Sequence, residues 1–268
     1  KLIFREKNGK ELVSRNVKNI SAYLFSGENI IVHAMSTSND DRGMMIRGNM
    51  PTDGGHLTLA PAERMEILEA CPEIRPLIRK FIGASELISG KERYCLWIED
   101  DDLSLAITSE EVKRRIAGVE QSRLQSSALS TREYARYPHR FRQIQGNAKY
   151  SQILITGVSS ENREYLPANI IQKGAIASNK LFCIYDSPIW NLSLIISRLH
   201  LVWIATVCVR MRTDFSYSNT LGWNTFPVPK LTEQNKADLT RCAENILLVR
   251  EGHFPATIAE LYDPENMP

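Results

Sequence analysis

The stretch Arg93-Tyr94-Cys95-Leu96-Trp97-Ile98 and the residues that follow it decide the fold class. Its aromatic and branched apolar side chains predict a strand. The acidic residues Glu99–Asp102 then predict a turn. Thr108–Gln125 has a capping residue at its start and two glutamates in its first turn, which predict a helix. The chain therefore combines strands with helices.

The elements on either side alternate irregularly, without a repeat and without a regular βαβ rhythm. The sequence therefore predicts an α+β fold, with a mixed sheet, packed helices and a small C-terminal helical unit. Strands are predicted at Asn19–His33, Gln152–Thr156 and Glu164–Leu166, within Ala175–Ile184, and at Phe215–Tyr217. Helices are predicted from Pro61 to Phe81 with a break at Pro72 and Pro76, and over Pro188–Cys208, Thr232–Arg250 and Thr257–Tyr262. Between them lie a loop at Ser36–Gly55, short helix mixed with loop at Ser126–Tyr150, and a stiff linker at Phe226–Pro229.

Composition limits the protein class. The 268 residues are 43% hydrophobic and 24% charged, with a formal net charge of +2, which argues against a globally basic coat protein. The five cysteines are odd in number and widely spaced, which excludes a disulfide framework and a CxxC zinc site. We therefore expect a reducing, cytoplasmic compartment.

No membrane segment is predicted. Polar residues interrupt the apolar run Ile189–Val209 at helical spacing, which indicates a buried amphipathic helix. The residues before Tyr23 are polar and form no apolar leader. Because the chain starts at Lys1 and ends abruptly at Pro268, we expect a piece of a longer protein.

Most catalytic motifs are absent from the sequence. There is no GxG triplet, no phosphate loop, no GxSxG elbow, no HExxH helix and no Asn-Pro-Pro or Asp-Pro-Pro aromatic tetrapeptide. The five histidines are scattered, and His200 is expected to be a core residue. No catalytic residue, metal ligand or cofactor site is therefore predicted for this chain.

Two alternatives to a binding module remain open. Asp102, Glu111 and Lys113 loosely match the metal-binding pattern of many nucleases, although a solvated helix N-terminus explains them as well. The apolar helix 189–209 could instead dock a partner protein in an interaction scaffold.

Positive charge is concentrated between Glu111 and Tyr150, where nine basic residues face three acidic ones, a local net charge of +6. Polar side chains lie among these bases, as in surfaces that contact phosphate and sugar. A basic surface compensated by the Glu99–Asp102 turn is the alternative. The candidate contacts to the DNA backbone in this stretch are Arg123, Arg132, Arg136, Arg140 and Arg142.

Two further clusters have residue types that suit DNA. Arg210 and Arg212 could both enter one groove, where arginine pairs with guanine, and Asn219 could pair with adenine. Arginines at a helix C-terminus also serve the helix dipole. Ser159, Ser160 and Arg163 follow a strand and form either a plain hairpin turn or a loop that contacts phosphate.

Several motifs, taken together in this order, are specific for one family. They are Asn19–Leu24, Gly48–Gly55, Gly83–Glu86, Arg93–Trp97, Val158–Tyr165, Ser197–His200, Tyr217-Ser218, Asn224–Pro227, Leu261–Pro264 and Met267-Pro268. Through them the chain resembles the C-terminal region of the MmeI-type (type IIL) restriction–modification enzymes. These are single polypeptides that join a nuclease, an adenine-N6 DNA methyltransferase and a target-recognition domain.

The resemblance implies a DNA target-recognition domain at 23–229, the tail of a methyltransferase domain at 1–22, and the start of a C-terminal helical domain at 230–268. It implies that S-adenosylmethionine, and Mg²⁺ for cleavage, bind to the parent enzyme outside this chain. The implied partners are double-stranded DNA and the upstream methyltransferase domain. The family's specificity positions correspond to Arg210 and Arg212, while Ser159–Arg163 and the basic stretch would hold the DNA backbone.

Overall fold

The computed structural model describes residues 2–5, 12–265 and 267, and it confirms the predicted α+β class. Residues 1, 6–11, 266 and 268, which belong to the predicted segments 1–22 and 230–268, lie outside the described residues. The strands are β1 (Leu2–Arg5), β2 (Leu12–Arg15), β3 (Ile46–Arg47), β4 (Thr58–Leu59), β5 (Ile78–Ile82), β6 (Tyr94–Leu96), β7 (Ser151–Thr156), β8 (Val158–Ser159), β9 (Ala168–Gln172), β10 (Ala175–Ala177), β11 (Leu181–Tyr185), β12 (Arg210–Met211) and β13 (Asp214–Ser216). The α-helices are α1 (Pro61–Ala70), α2 (Ala84–Ser89), α3 (Leu103–Ala106), α4 (Glu110–Leu124), α5 (Leu129–Glu133), α6 (Trp190–Ile196), α7 (Arg198–Val207), α8 (Glu233–Gly252) and α9 (Ile258–Leu261). Short 3₁₀ turns lie at Pro72–Leu77, Asp100–Asp102 and Tyr134–Arg136, and a π-helical turn at Asn219–Trp223.

The strands form small sheets. Sheet I has the order β10-β5-β6-β4, sheet II has the order β3-β11-β7-β9, and sheet III has the order β12-β13-β8, while β1 and β2 pair separately. Sheet I is mixed because β10 runs parallel to β5, whereas the strands of sheets II and III are antiparallel. The mixed sheet expected from the sequence is thus confirmed.

Two large apolar cores hold these sheets. Sheet I packs against α1 and α4 around Ile67, Trp97 and Val112. Sheet II packs against α6, α7 and α8 around a second core that includes Phe182 and Trp223. A smaller cluster joins the two sheets, since its members come from β10 of sheet I, from β7 and β11 of sheet II, and from α2.

Elements with local signals in the sequence form as predicted. Helix α4 starts after Ser109, whose hydroxyl accepts a hydrogen bond from the amide of Val112 at 3.4 Å. Helix α8 follows Thr232, which caps it in the same way. Ala243 of α8 is fully buried, and the Ser193 hydroxyl of α6 donates to the Leu239 carbonyl at 2.6 Å, so the C-terminal helix packs on the rest of the fold.

Three strand and helix predictions are wrong. Ile78–Phe81 is not helical, because the 3₁₀ turn containing Pro76 ends there and β5 pairs with both β6 and β10. Glu164–Leu166 is irregular, and the strand begins after Pro167, at Ala168. Asn19–His33 contains only an isolated bridge, between Ile20 and Ser26, instead of a strand.

Two other elements are divided. The predicted strand within Ala175–Ile184 is two strands of different sheets, β10 and β11. The predicted helix Pro188–Cys208 bends by 58° between α6 and α7. Ser197 lies at the bend and its hydroxyl accepts a hydrogen bond from the His200 amide at 3.1 Å, which starts α7 as a separate helix. Within the described ranges no single helix is long and apolar enough to cross a membrane, although α6 and α7 meet that criterion together as a bent pair.

A buried arginine fixes the segment after α4. Arg123 is 1% exposed, and its guanidinium lies 5.2 Å from the centre of the Tyr134 ring. It donates to the carbonyls of Thr52 at 2.8 Å and Pro51 at 2.9 Å, and to those of Tyr137 and Arg140 at 2.7 Å each. Burial lowers the pKa of Arg123 from its usual range. One side chain thus joins the loop before α1 to the segment after α5.

We expect Arg123→Met to lower the free energy of unfolding by about 3–5 kcal/mol, because it leaves several buried carbonyls without a donor. Urea unfolding at pH 7 measures this change. Arg136→Met is the matched control, since Arg136 is exposed and its loss should change stability by less than about 0.5 kcal/mol. Equal effects of the two substitutions would show that Arg123 does not hold these segments together.

His200 is a buried histidine in the second core, as predicted. It is fully buried, and its Nε2 lies 3.0 Å from the hydroxyl of Tyr217. Burial, with a smaller contribution from the charge of Arg42, lowers the pKa of His200 to about 3. In the unfolded chain a histidine has a pKa of about 6.5, so between these two values the unfolded state binds a proton that the folded state excludes.

The stability contributed by neutral His200 is therefore complete above about pH 6.5 and is lost as the pH falls. Between pH 7 and pH 5 the free energy of unfolding should decrease by about 2 kcal/mol through this group. In His200→Gln that part of the decrease should vanish, as measured by urea unfolding at both pH values. An unchanged difference between pH 7 and pH 5 in the variant would contradict the assignment.

Candidate nucleic-acid interface

Sheet III brings two distant sequence clusters together. Phe215 of β13 pairs with Ser159 of β8 on one side and with Arg210 of β12 on the other. Arg210 also lies 3.6 Å from the carboxylate of Glu161. The residues around 159–163 and those around 210–214 therefore form one surface, as the hypothesis of a shared DNA interface requires.

Arg212 lies at the tip of the β12–β13 hairpin. Because Met211 pairs with Asp214, the turn contains only Arg212 and Thr213. Arg212 has a φ of +60°, in the left-handed region that non-glycine residues rarely adopt. Its side chain is exposed and has no partner among the described residues. The guanidinium is therefore free to bind a ligand.

Arg210 is held by its neighbours. Its Nη1 donates to the Thr213 carbonyl at 2.8 Å, and its guanidinium lies 4.7 Å from the centre of the Phe215 ring. These contacts hold the turn between β12 and β13 in place. Although the side chain remains partly exposed, Arg210 shapes the hairpin that presents Arg212.

Asn219 lies beside the hairpin in the π-helical turn. Its Nδ2 donates to the Met45 carbonyl at 2.8 Å, which connects this turn to the residue before β3. One amide hydrogen is thus used within the fold, while the Oδ1 atom has no partner in the described part of the chain. Asn219 can still offer an acceptor and one donor.

The residues of the 159–163 loop differ in accessibility. Ser159 is buried and its hydroxyl has no hydrogen-bond partner within the described chain. The hydroxyl of Ser160 accepts from the Asn162 amide at 3.3 Å. Arg163 is half-buried, and its guanidinium has no partner among the described residues. Arg163 is thus the member of this loop best placed to bind an anion.

Most arginines of the basic stretch are already bound to other groups of the fold. The guanidinium of Arg123 is hydrogen-bonded in the interior, so Arg123 is not available to contact phosphate. Arg140 pairs with Asp100 at 3.2 Å, as the alternative of a compensated surface expects. Arg132 donates to the carbonyls of Ser126 and Ser127, Arg142 donates to the Ser130 hydroxyl, and Arg114 and Arg115 bind Glu111.

Arg136 remains as an exposed base. Its guanidinium lies 4.9 Å from the centre of the Tyr137 ring, and no carboxylate in the described chain pairs with it. The backbone of its segment is fixed by Arg123, which binds the neighbouring Tyr137 carbonyl. Arg136 is therefore a positioned cation at the surface.

Sequence reasoning missed a second basic region. Arg79 and Lys173 line a cleft of about 460 Å³ together with Asn147. The parallel pairing of β5 with β10 brings these distant positions together, next to a turn at Gly174 with a φ of +96°. The Lys-Gly pair at 173–174 predicts only a turn, and no local signal links it to Arg79.

Comparison with known proteins decides the family. The model of the MmeI target recognition domain matches residues 26–230. DNA methyltransferase A of Bacillus subtilis (strain 168) is 37% identical over 252 residues, which cover 94% of this chain and 28% of that protein. The solved structure of the type IIL restriction–modification enzyme MmeI in complex with DNA matches with a TM-score of 0.91 at 30% identity, over 99% of this chain and 35% of that one.

The chain belongs to the MmeI target-recognition domain family. This confirms the family that the sequence motifs indicate. The chain spans only 28% and 35% of the lengths of these two relatives. The boundaries 1–22, 23–229 and 230–268 remain predictions.

The comparisons do not support the two alternatives, and the geometry of the target-recognition domain favours neither. Both oxygens of Glu111 accept hydrogen bonds from Arg114, one of them also from Arg115, and these pairings lower the pKa of the carboxyl. No group of three or more His, Cys, Asp or Glu side chains in the described segments is arranged to hold a metal ion. The helix of the scaffold hypothesis is mostly part of the second core, through residues such as Leu192, Ile195 and Ile204.

We expect Arg210→Ala to loosen the hairpin of the target-recognition domain, because it removes the bond to Thr213 and the contact with Phe215. Amide hydrogen exchange between Met211 and Phe215 should become faster. Arg212→Ala is the control, since the Arg212 side chain has no contact to lose within the described chain. Equal exchange in wild type and Arg210→Ala would contradict the role of Arg210.

Proposed function

We propose that this chain is the sequence-specific, double-stranded-DNA-binding domain of a longer restriction–modification polypeptide. The observation that carries the proposal is the hairpin of sheet III, which presents an exposed arginine at its tip in a chain of the MmeI target-recognition family. The related MmeI structure contains DNA, which supports the same partner here. A β-ribbon fits the major groove, where base pairs are distinguished by their donors and acceptors.

Arg212 is the proposed base-reading residue. Its fork of N–H groups can donate to O6 and N7 of one guanine, and this pairing discriminates against other bases by about 1–3 kcal/mol. Arg210 supports the hairpin and has part of its fork left for a neighbouring base. Asn219 offers its Oδ1 and a remaining amide hydrogen, the pair that adenine requires.

Contacts to the phosphates would position the duplex. We assign this role first to Arg136 and Arg163, which have no carboxylate partner among the described residues. Arg132, Arg140, Arg142, Ser159 and Ser160 are weaker candidates, because their polar groups are partly used within the fold or buried. If Arg140 left Asp100 to bind a phosphate, the binding free energy would gain little, because one ion pair would replace another.

Catalysis is assigned to other domains of the longer polypeptide. The proposed activity is adenine-N6 methylation with S-adenosylmethionine, together with cleavage that uses Mg²⁺. The chain contains no GxG loop for such a cofactor, and its described residues contain no metal-binding cluster, so neither group fits here. The role of this domain is to fix which adenine the linked methyltransferase domain takes out of the helix. We place this activity in the cytoplasm.

Selection from a randomised duplex pool, followed by sequencing and fluorescence anisotropy, tests the proposal on the intact polypeptide. One short motif should be enriched, and affinity should fall steeply with salt. Arg212→Ala should reduce discrimination at a single base pair by about 1–3 kcal/mol and leave the other positions unchanged. Arg212→Lys should lose the same discrimination, because it keeps the charge and removes the fork.

Arg136→Ala is the matched comparison. It should weaken binding to all sequences about equally and reduce the salt dependence by about one ion. If Arg212→Ala also weakened all sequences alike, the base-reading assignment would be wrong. If the wild type selected no motif, the proposed function itself would fail.

A further inference from the structure

Sheet III has one buried and one exposed face. The pairing of Arg210 with Phe215, and of Phe215 with Ser159, places these residues on the same face. Phe215 and Ser159 are buried, and Tyr217, two residues further along, is buried beside His200. This face therefore belongs to the interior, and Arg210 covers its edge.

The opposite face is exposed and carries three large apolar side chains. Met211 pairs with Asp214, and Val158 pairs with Ser216, whose amide also bonds to the Val209 carbonyl at 3.0 Å. The exposed fractions are 71% for Val209, 58% for Met211 and 41% for Val158. These three apolar side chains, which we call the apolar strip, lie on both sides of the middle strand β13: Val209 and Met211 on the β12 side, and Val158 on β8. Exposed apolar side chains grouped on one face of a sheet are available for contact with a partner.

The charges around the strip select the partner. Arg212, at the tip of the same hairpin, has no acidic partner in the described chain and provides a cation for nucleic acid. Asp214 lies on the exposed face itself, and its carboxylate would be repelled by phosphates. The strip is therefore suited to face the edges of the bases, whereas the backbone is bound elsewhere.

In the major groove the 5-methyl group of thymine is the apolar feature of the base edges. We propose that Val158, Val209 and Met211 bind the 5-methyl groups of thymine, beside the base pair contacted by Arg212. This inference rests on the proposed function and adds to it one kind of base that the domain recognises. The recognised motif then contains thymine next to the position that depends on Arg212.

The test replaces each thymine of the selected motif by uracil, which removes only the methyl group. Binding of the intact polypeptide to each duplex is measured by fluorescence anisotropy. For wild type, at least one dT→dU change adjacent to the Arg212-dependent base pair should weaken binding about three- to fivefold, the effect of one buried methyl group. The same change elsewhere should have little effect.

Met211→Ala and Val158→Thr remove apolar contact without removing charge. At least one of them should weaken binding to the thymine duplex by a similar factor and should bind the thymine and uracil duplexes equally well. Leu248→Ala is the control, because Leu248 is an equally exposed apolar residue of α8, at 63%, and should preserve the difference between the duplexes. Thermal melting should be unchanged, since the substituted side chains are exposed.

The possible outcomes separate the two proposals. Selective binding without any effect of uracil, or a uracil effect that all variants preserve, overturns the thymine assignment and leaves the proposed function intact. Met211→Ala could instead increase proteolytic cleavage of the intact polypeptide and leave the uracil effect unchanged. The strip would then pack against another domain of the polypeptide, which also overturns the assignment. Failure to select any motif removes the proposed function itself.

Discussion

The arrangement of the basic segment depends on the hydrogen bonds that the Arg123 guanidinium donates to backbone carbonyls. The guanidinium pairs with no carboxylate among the described residues, and its charge is stabilised by carbonyl dipoles from residues 51–52 and 137–140. This contact keeps Phe141 in the first core, where its ring centre lies 5.1 Å from that of Trp97. It also holds the backbone beside Arg136. The most enclosed charge of the basic stretch thus stabilises the frame, while Arg136 remains at the surface.

In sheet III, too, one part stabilises the fold and another part is exposed. Its inner face is fixed by the pair Tyr217–His200 and by the ring of Phe226, which lies 4.6 Å from the centre of His200. Its outer face and its tip have few contacts of their own. A binding group that is held by a rigid inner face needs little ordering when a ligand arrives, so less of the interaction energy is lost in ordering it.

The sequence predicts elements whose signals are local. Helix α4 has its cap and acidic first turn, and β6 and β7 have continuous apolar runs. It cannot distinguish buried Arg123 from exposed Arg136, because burial depends on carbonyls far away in the chain. Pairing of β5 with β10 is equally non-local. The motif around Gly48 is specific for a structural reason, since a Cβ there would collide with the carbonyl oxygens of Ala177 and Ser178.

The two-residue turn of the β12–β13 hairpin has a consequence for how such proteins diverge. Strand pairing and the buried Phe215 hold the hairpin, while the side chain of Arg212 has no contact on which folding depends within the described chain. Apart from the positive φ, which disfavours β-branched residues, selection for folding therefore places little constraint on that side chain. A lineage can exchange it in a single mutational step and keep a foldable protein throughout. Under the base-reading role that we propose for Arg212, target preference can thus drift faster than the scaffold that carries it.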